Sequence, residues 1–127
     1  MIQRARQCLA QHVALEALIL FGSRARGDPH ESSDWDLAVV SGDFGGHNPI
    51  ERALRILDCM GPSLEFVCLT PDELAAPEGS YLRCAILEEG QAVADRGAFA
   101  AARRRYQDEK AAGRIRFHGA LVEFAGQ

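Results

Sequence analysis

No apolar run in this 127-residue chain approaches the roughly 20 residues that a membrane-spanning helix requires. The two arginines of Met1-Ile2-Gln3-Arg4-Ala5-Arg6 are not followed by the apolar core of a signal peptide, because Gln7, Gln11 and His12 interrupt it. A cytoplasmic protein with no membrane partner is therefore expected. There is no internal repeat and no low-complexity segment. With 47% hydrophobic and 25% charged residues, the composition is that of one ordinary globular domain, able to fold without a disulfide or metal. Cysteine is sparse too. Cys8, Cys59, Cys68 and Cys84 show no C-x-x-C spacing and no pairing with closely spaced histidines, so they read as structural thiols in apolar surroundings.

Basic charge is scarce in the first three-quarters of the chain. Residues 1–95 hold 7 Lys/Arg against 15 Asp/Glu, whereas residues 96–127 hold 7 against 3, within a formal net charge of −4. The acidic body argues against broad nucleic-acid binding, which needs a surface that neutralises phosphates. The basic tail reads first as a solvated helix face. The other readings are an acidic partner or a fold back onto the acidic body.

Periodicity then orders the chain. Residues 3–15 read as an amphipathic helix, and Leu18–Phe21 as a buried strand ending at Gly22-Ser23. A loop containing Gly27-Asp28-Pro29 and Ser32-Ser33 leads to a second strand, Trp35–Val40. Pro49 opens a helix to Met60, with Ile50, Leu54 and Leu57 or Asp58 on successive turns. A third strand follows at Leu64–Leu69, and Thr70-Pro71-Asp72-Glu73 has the form of a capping box. Helices are expected at 80–89 and 98–112, with a short strand at Ala92–Ala94 between them. Residues 114–125 fit either a strand, through Ile115 and Phe117, or a helix, through Phe117, Leu121 and Phe124.

The chemistry concentrates in two places. Asp34 and Asp36 are two apart on one strand, so both project from one face. Paired carboxylates repel, and a hard cation such as Mg²⁺ relieves the repulsion. A solvated strand end is the plainer reading of an isolated D-x-D. Ten residues earlier, Gly22-Ser23 follows a buried strand. Ser23 is a good N-cap, and a helix start offers N–H groups to phosphate. Gly22 lets phosphate approach the backbone, and Arg24 and Arg26 add cationic donors. Neither a P-loop nor a G-x-G-x-x-G fingerprint is present. Together the two elements set a triphosphate beside its metal. Glu65 on the third strand could supply a third carboxylate, the set that two-metal phosphoryl transfer uses with ions about 3.5–4 Å apart.

Leu20-Phe21-Gly22-Ser23-Arg24-Ala25-Arg26-Gly27 followed by Ser33-Asp34-Trp35-Asp36-Leu37-Ala38-Val39 resembles the signature of the minimal nucleotidyltransferases of the DNA polymerase β superfamily. The likeness extends loosely through Leu64–Val67 and Ile86–Gly90, about residues 10–95 in all. It implies an α/β (α+β) fold, a small mixed β-sheet flanked by helices, with residues 1–96 as the nucleotidyltransferase domain and 97–127 as a C-terminal helical extension. The implied reaction moves a nucleoside monophosphate from a Mg-bound nucleoside triphosphate to a hydroxyl acceptor and releases pyrophosphate. By the same resemblance Gly22 and Ser23, with Arg24 and Arg26, would bind the phosphates. Asp34, Asp36 and Glu65 would be the catalytic carboxylates and would hold Mg²⁺, two ions in the full site. Glu65 stands where the family more often has Asp, and one of the two arginines could instead pair with an acidic neighbour. Trp35 points to the opposite face from the aspartates, toward the core.

The chain lacks the large extra domains of template polymerases and of poly(A)- or tRNA-adding relatives, and its tail is short beside the helical domain of antibiotic-modifying relatives. It most resembles the stand-alone antitoxins paired with HEPN-type RNase toxins, which implies AMP transfer from ATP to a tyrosine of the toxin. Two alternatives stand beside that one. A non-catalytic antitoxin would act by occlusion through its tail, including Phe117, Leu121 and Phe124. A small-molecule transferase would modify an antibiotic-like hydroxyl. A homo-oligomer is compatible with all three.

Overall fold

The computed structural model describes residues 2–27 and 35–117, together with the backbone of 122–124. Asp34, His30 and Leu121, and the side chain of Phe124, lie outside the described residues. Helix α1 spans Ile2–His12, shorter than its apolar periodicity predicts. The chain leaves the helix where the Ala14 N–H donates to Asp43 Oδ2 at 2.8 Å, an alternative partner to the helical ladder. Strands β1 (Ala17–Phe21), β2 (Trp35–Val40), β3 (Leu64–Leu69) and β4 (Gln91–Asp95) follow the expected apolar runs.

These four strands form one mixed sheet in the order β3-β2-β1-β4. β1 pairs antiparallel with β2 and β4, while β2 and β3 are parallel. The parallel pair needs a crossover, and helix α2 (Pro49–Ile56) provides it. Asn48 and Glu51 close a reciprocal capping box at the start of α2, which satisfies two orphan donors. Its last residues continue as a 3-10 turn, Leu57–Cys59. Helices α3 (Pro71–Ala75), α4 (Tyr81–Glu89) and α5 (Ala98–Ala111) complete the expected set. Beyond α5 the strand alternative holds: β5 (Ile115–Phe117) and β6 (Val122–Phe124) pair antiparallel.

Alternation along the strands divides the core into two layers. Ala17, Ile19, Ala38, Val40 and Leu69 face Leu74, Ile86, Leu87, Phe99 and Tyr106 on α3, α4 and α5. Leu18, Leu37, Val39 and Leu64 face Ala5, Leu9 and Ile56 on α1 and α2. The contact between α4 and β1 is close enough that a Cβ on Gly90 would lie 2.6 Å from Ile19 Cγ2 and 2.3 Å from the Ile86 carbonyl oxygen.

Three expectations are corrected by this packing. Ile50, Leu54 and Leu57 recur at helical spacing yet are 71%, 65% and 51% exposed, so that stripe faces solvent. The inward side of α2 carries Ile56 and Arg52 instead, and the Arg52 guanidinium makes a two-pronged pair with Glu73 at 2.6 and 3.2 Å. The basic tail is exposed at Arg104, Arg105 and Lys110 but is more than a solvated face, because it folds back onto the body. Arg103 donates to the Leu87 carbonyl at 2.9 Å and also to that of Gly90, Arg105 to the Ala75 carbonyl at 2.8 Å, and Lys110 pairs with Glu88. The charge asymmetry is therefore partly neutralised within the molecule. Lastly, Cys8 and Cys59 are joined as a disulfide, leaving Cys68 and Cys84 free.

Candidate active site

The antiparallel pairing of β1 with β2 brings the end of β1 beside the start of β2, with Phe21 opposite Asp36. Parallel pairing of β2 with β3 then sets Asp36 beside Glu65. Asp36 and Glu65 share the face that carries Ala38, Val40, Val67 and Leu69, because strand side chains alternate. Adjacent strands lie about 4.8 Å apart, so the two carboxylates are neighbours across the ladder. Asp36 is partly buried and Glu65 is exposed. Trp35 packs against the opposite layer, as its position on the strand requires.

Gly22 bends the chain over this end of the sheet. Its φ of +77° is the left-handed conformation in which glycine carries no steric penalty. A Cβ there would lie 2.3 Å from Asp36 Oδ2, so the backbone of the loop rests on the carboxylate. Ser23 is partly buried next to it. The Gly22 carbonyl accepts from Ala25 and Arg26 N–H groups, both at 3.1 Å, so the segment closes as a single turn. The continuous helix expected after Ser23 does not follow within residues 23–27.

Two contacts from the neighbouring strand β4 and the end of α4 hold that turn. Gln91, first residue of β4, donates from Nε2 to the Ala25 carbonyl at 2.7 Å. Arg26 pairs with Glu89 at 2.9 Å. The Arg24 guanidinium stacks over the Trp35 ring, 4.4 Å from its centroid, a cation–π geometry. Gly22, Ser23, Asp36 and Glu65 are thus gathered at one end of the sheet, while Arg24 and Arg26 engage Trp35 and Glu89. Gln91 escaped sequence reasoning because a lone glutamine carries no motif. The groove of about 570 Å³ beside β3, bordered by Arg52, Phe66, Leu69, Glu73 and Arg83, holds none of these four residues.

Residues 3–94 match the family model for polymerase β nucleotidyltransferases. The chain belongs to that family. No curated protein matches this nucleotidyltransferase, but solved structures share its fold. A Sulfolobus solfataricus protein described as a candidate nucleotidyltransferase is 21% identical, with a TM-score of 0.56 over 76% of this chain and 81% of that one. One chain of a toxin–antitoxin structure with AMP-PNP is 20% identical, with a TM-score of 0.55 over 87% and 90%. A variant of the MntA–HpeT toxin–antitoxin pair is also 20% identical, with a TM-score of 0.55 over 88% and 90%. Among the described residues no helix of the nucleotidyltransferase is long and apolar enough to cross a membrane.

Proposed function

We infer that this nucleotidyltransferase moves AMP from ATP, with Mg²⁺, to a hydroxyl of a partner protein, a tyrosine of a HEPN-type toxin. The observation that carries the reading is the contact of the Gly22 backbone with the Asp36 carboxylate. A phosphate lying on the Gly22-Ser23 backbone would there adjoin an oxygen-donor group, the ligand type Mg²⁺ prefers. Asp36 and Glu65 fit such an ion by donor chemistry and by their shared face, and Asp34 is the third ligand that the sequence supplies. When bound, Mg²⁺ neutralises phosphate charge and lowers the barrier to in-line displacement. Gly22 and Ser23 hold the phosphates, and Glu65 takes the proton of the attacking hydroxyl.

Two further observations favour a protein acceptor. The solved toxin–antitoxin structures cover about nine-tenths of their own chain with this fold. The exposed Ile50 and Leu54 on α2, with Leu57 in the turn that follows, form an apolar stripe of the kind that protein partners cover.

The test is label transfer from α-³²P-ATP with Mg²⁺ in an extract of the source cell. An Asp34→Ala/Asp36→Ala double variant runs alongside. A labelled protein band that the double variant lacks is the expected result. A band of equal strength with the double variant would overturn the mechanism, and label found only on small molecules would overturn the protein acceptor.

A further inference from the structure

At the other layer of the molecule, three metal-ligating side chains meet that nucleotidyl transfer does not use. Cys8 and His12 are four residues apart on α1 and therefore share a face. Cys59 comes from the 3-10 turn after α2, and its Cα lies 5.4 Å from that of Cys8. His12 Nδ1 is 3.8 Å from Cys8 Sγ and 3.6 Å from Cys59 Sγ. All three donor atoms lie within 4.8 Å of one another. Cys59 is buried, Cys8 is partly buried and His12 is exposed, so the cluster opens to solvent on the histidine side.

The sulfur–nitrogen distances select a ligand class. A tetrahedral Zn²⁺ with bonds of about 2.3 Å to sulfur and 2.0–2.1 Å to nitrogen holds those atoms roughly 3.5 Å apart. The ring already stands near that spacing from both sulfurs. We propose that Cys8, His12 and Cys59 form a zinc site in the reduced protein, with two thiolates, one imidazole and a solvent molecule, and that oxidation to the disulfide closes this site to metal.

The chemistry balances in both directions. Zn²⁺ binding displaces the two thiol protons to solvent. It also takes the Nδ1 lone pair, so the ring proton moves to Nε2 and the 2.9 Å contact of Nδ1 with the Cys8 carbonyl is given up. In oxidation by a low-molecular-weight disulfide, the two cysteines lose two electrons and two protons, and the oxidant leaves as two thiols. Neither sulfur then carries the negative charge that a metal needs. Arg55 donates to the His12 carbonyl at 3.4 Å and faces the Asp43 carboxylate at 3.7 Å, which ties the end of α1 to α2 beside the cluster. Cys68 and Cys84 stand outside the cluster, which among the described residues gathers only Cys8, His12 and Cys59.

The experiment titrates Co²⁺, a spectroscopic substitute for Zn²⁺, into full-length protein reduced with a phosphine under anaerobic conditions. One equivalent should bind with a sulfur-to-cobalt charge-transfer band and tetrahedral d–d bands, and Zn²⁺ should displace it. Cys8→Ser and Cys59→Ser should each lose about half the charge-transfer intensity and at least tenfold in affinity. His12→Ala should keep the charge transfer and lose at least tenfold in affinity, and Cys68→Ser/Cys84→Ser should match wild type. Protein oxidised with glutathione disulfide should show no such bands, a comparison that needs no variant to fold. The zinc site is overturned by absence of the bands in reduced wild type, by their survival after oxidation, or by wild-type intensity in either serine variant. An unchanged His12→Ala titration would overturn the three-ligand assignment.

Discussion

The backbone of Gly22 rests against the carboxylate of Asp36 so closely that a methyl group on Gly22 would sit 2.3 Å from Oδ2. Phosphate cradle and metal ligand are thus one structural unit. Gly22→Ala meets two penalties, a left-handed φ of +77° and displacement of the carboxylate. The first should lower stability by about 1–2 kcal/mol. The second should lower nucleotidyl transfer at least a hundredfold, because Asp36 can avoid the methyl only by leaving its position. Thermal unfolding and label transfer on the same sample would separate the two. Activity falling only in proportion to the folded fraction would refute the coupling.

Asp36 and Glu65 are register neighbours with unequal surroundings, one partly buried and the other exposed. Asp36→Asn removes the charge without changing shape. It should leave the melting temperature unchanged or raised, since it relieves carboxylate repulsion, while transfer falls by about 10²–10³-fold, the scale of losing one preorganised electrostatic group. Glu65→Gln should lose a comparable factor if Glu65 ligates the ion, whereas Glu65→Asp, one bond shorter, should keep a measurable fraction. Equal activity of Glu65→Gln and wild type would remove Glu65 from the site.

What the sequence revealed follows from the range of the interactions involved. The strand ends at Gly22, Asp36 and Glu65 were legible because apolar runs set the strands and alternation sets the faces. The capping box at Thr70 and Glu73 was legible for the same reason, being complete within four residues. The solvent-facing stripe of α2 was not legible. Its orientation depends on Arg52 reaching Glu73, which sits 21 residues further on, and periodicity cannot tell a core stripe from an exposed one. Cys8 and Cys59, 51 residues apart, likewise meet only through the packing of α1 on the turn after α2. Contrary to the expectation that no cysteine has a closely spaced histidine, Cys8 and His12 stand four residues apart within α1, and one helical turn brings them together.

Arg52 and Glu73 make stability depend on pH. The hydrogen bonds from Arg52 hold the Glu73 carboxyl below its ordinary range, and the Thr70 N–H and nearby Arg83 add to the effect against the opposing influence of burial. A carboxylate with a depressed folded-state pKa contributes stability above its unfolded value, about 4.3. That contribution disappears as pH falls through the lower folded value. Glu73→Gln should therefore cost about 1–3 kcal/mol at pH 7. The difference from wild type should shrink steadily below pH 4. Urea unfolding of both proteins between pH 3 and pH 7 would show it, and a pH-independent difference would mean that the ion pair contributes nothing.

Helix α5 follows the family-matched segment, yet it supplies Phe99, Ala102 and Tyr106 to the core, at 3%, 2% and 1% exposure. Tyr106 also donates to Glu88 at 2.6 Å, which Lys110 engages from the same helix. Loss of one buried aromatic side chain costs about 3–5 kcal/mol, and a domain's whole stability is about 5–15 kcal/mol. A chain ending at residue 96 should consequently lack a cooperative thermal transition. Tyr106→Phe is the gentler probe. It leaves the ring in place and should lower stability by about 1–2 kcal/mol through the lost hydrogen bond, with label transfer unchanged below the transition. A cooperative melt of the 1–96 fragment would show instead that the sheet and its first four helices hold together without α5.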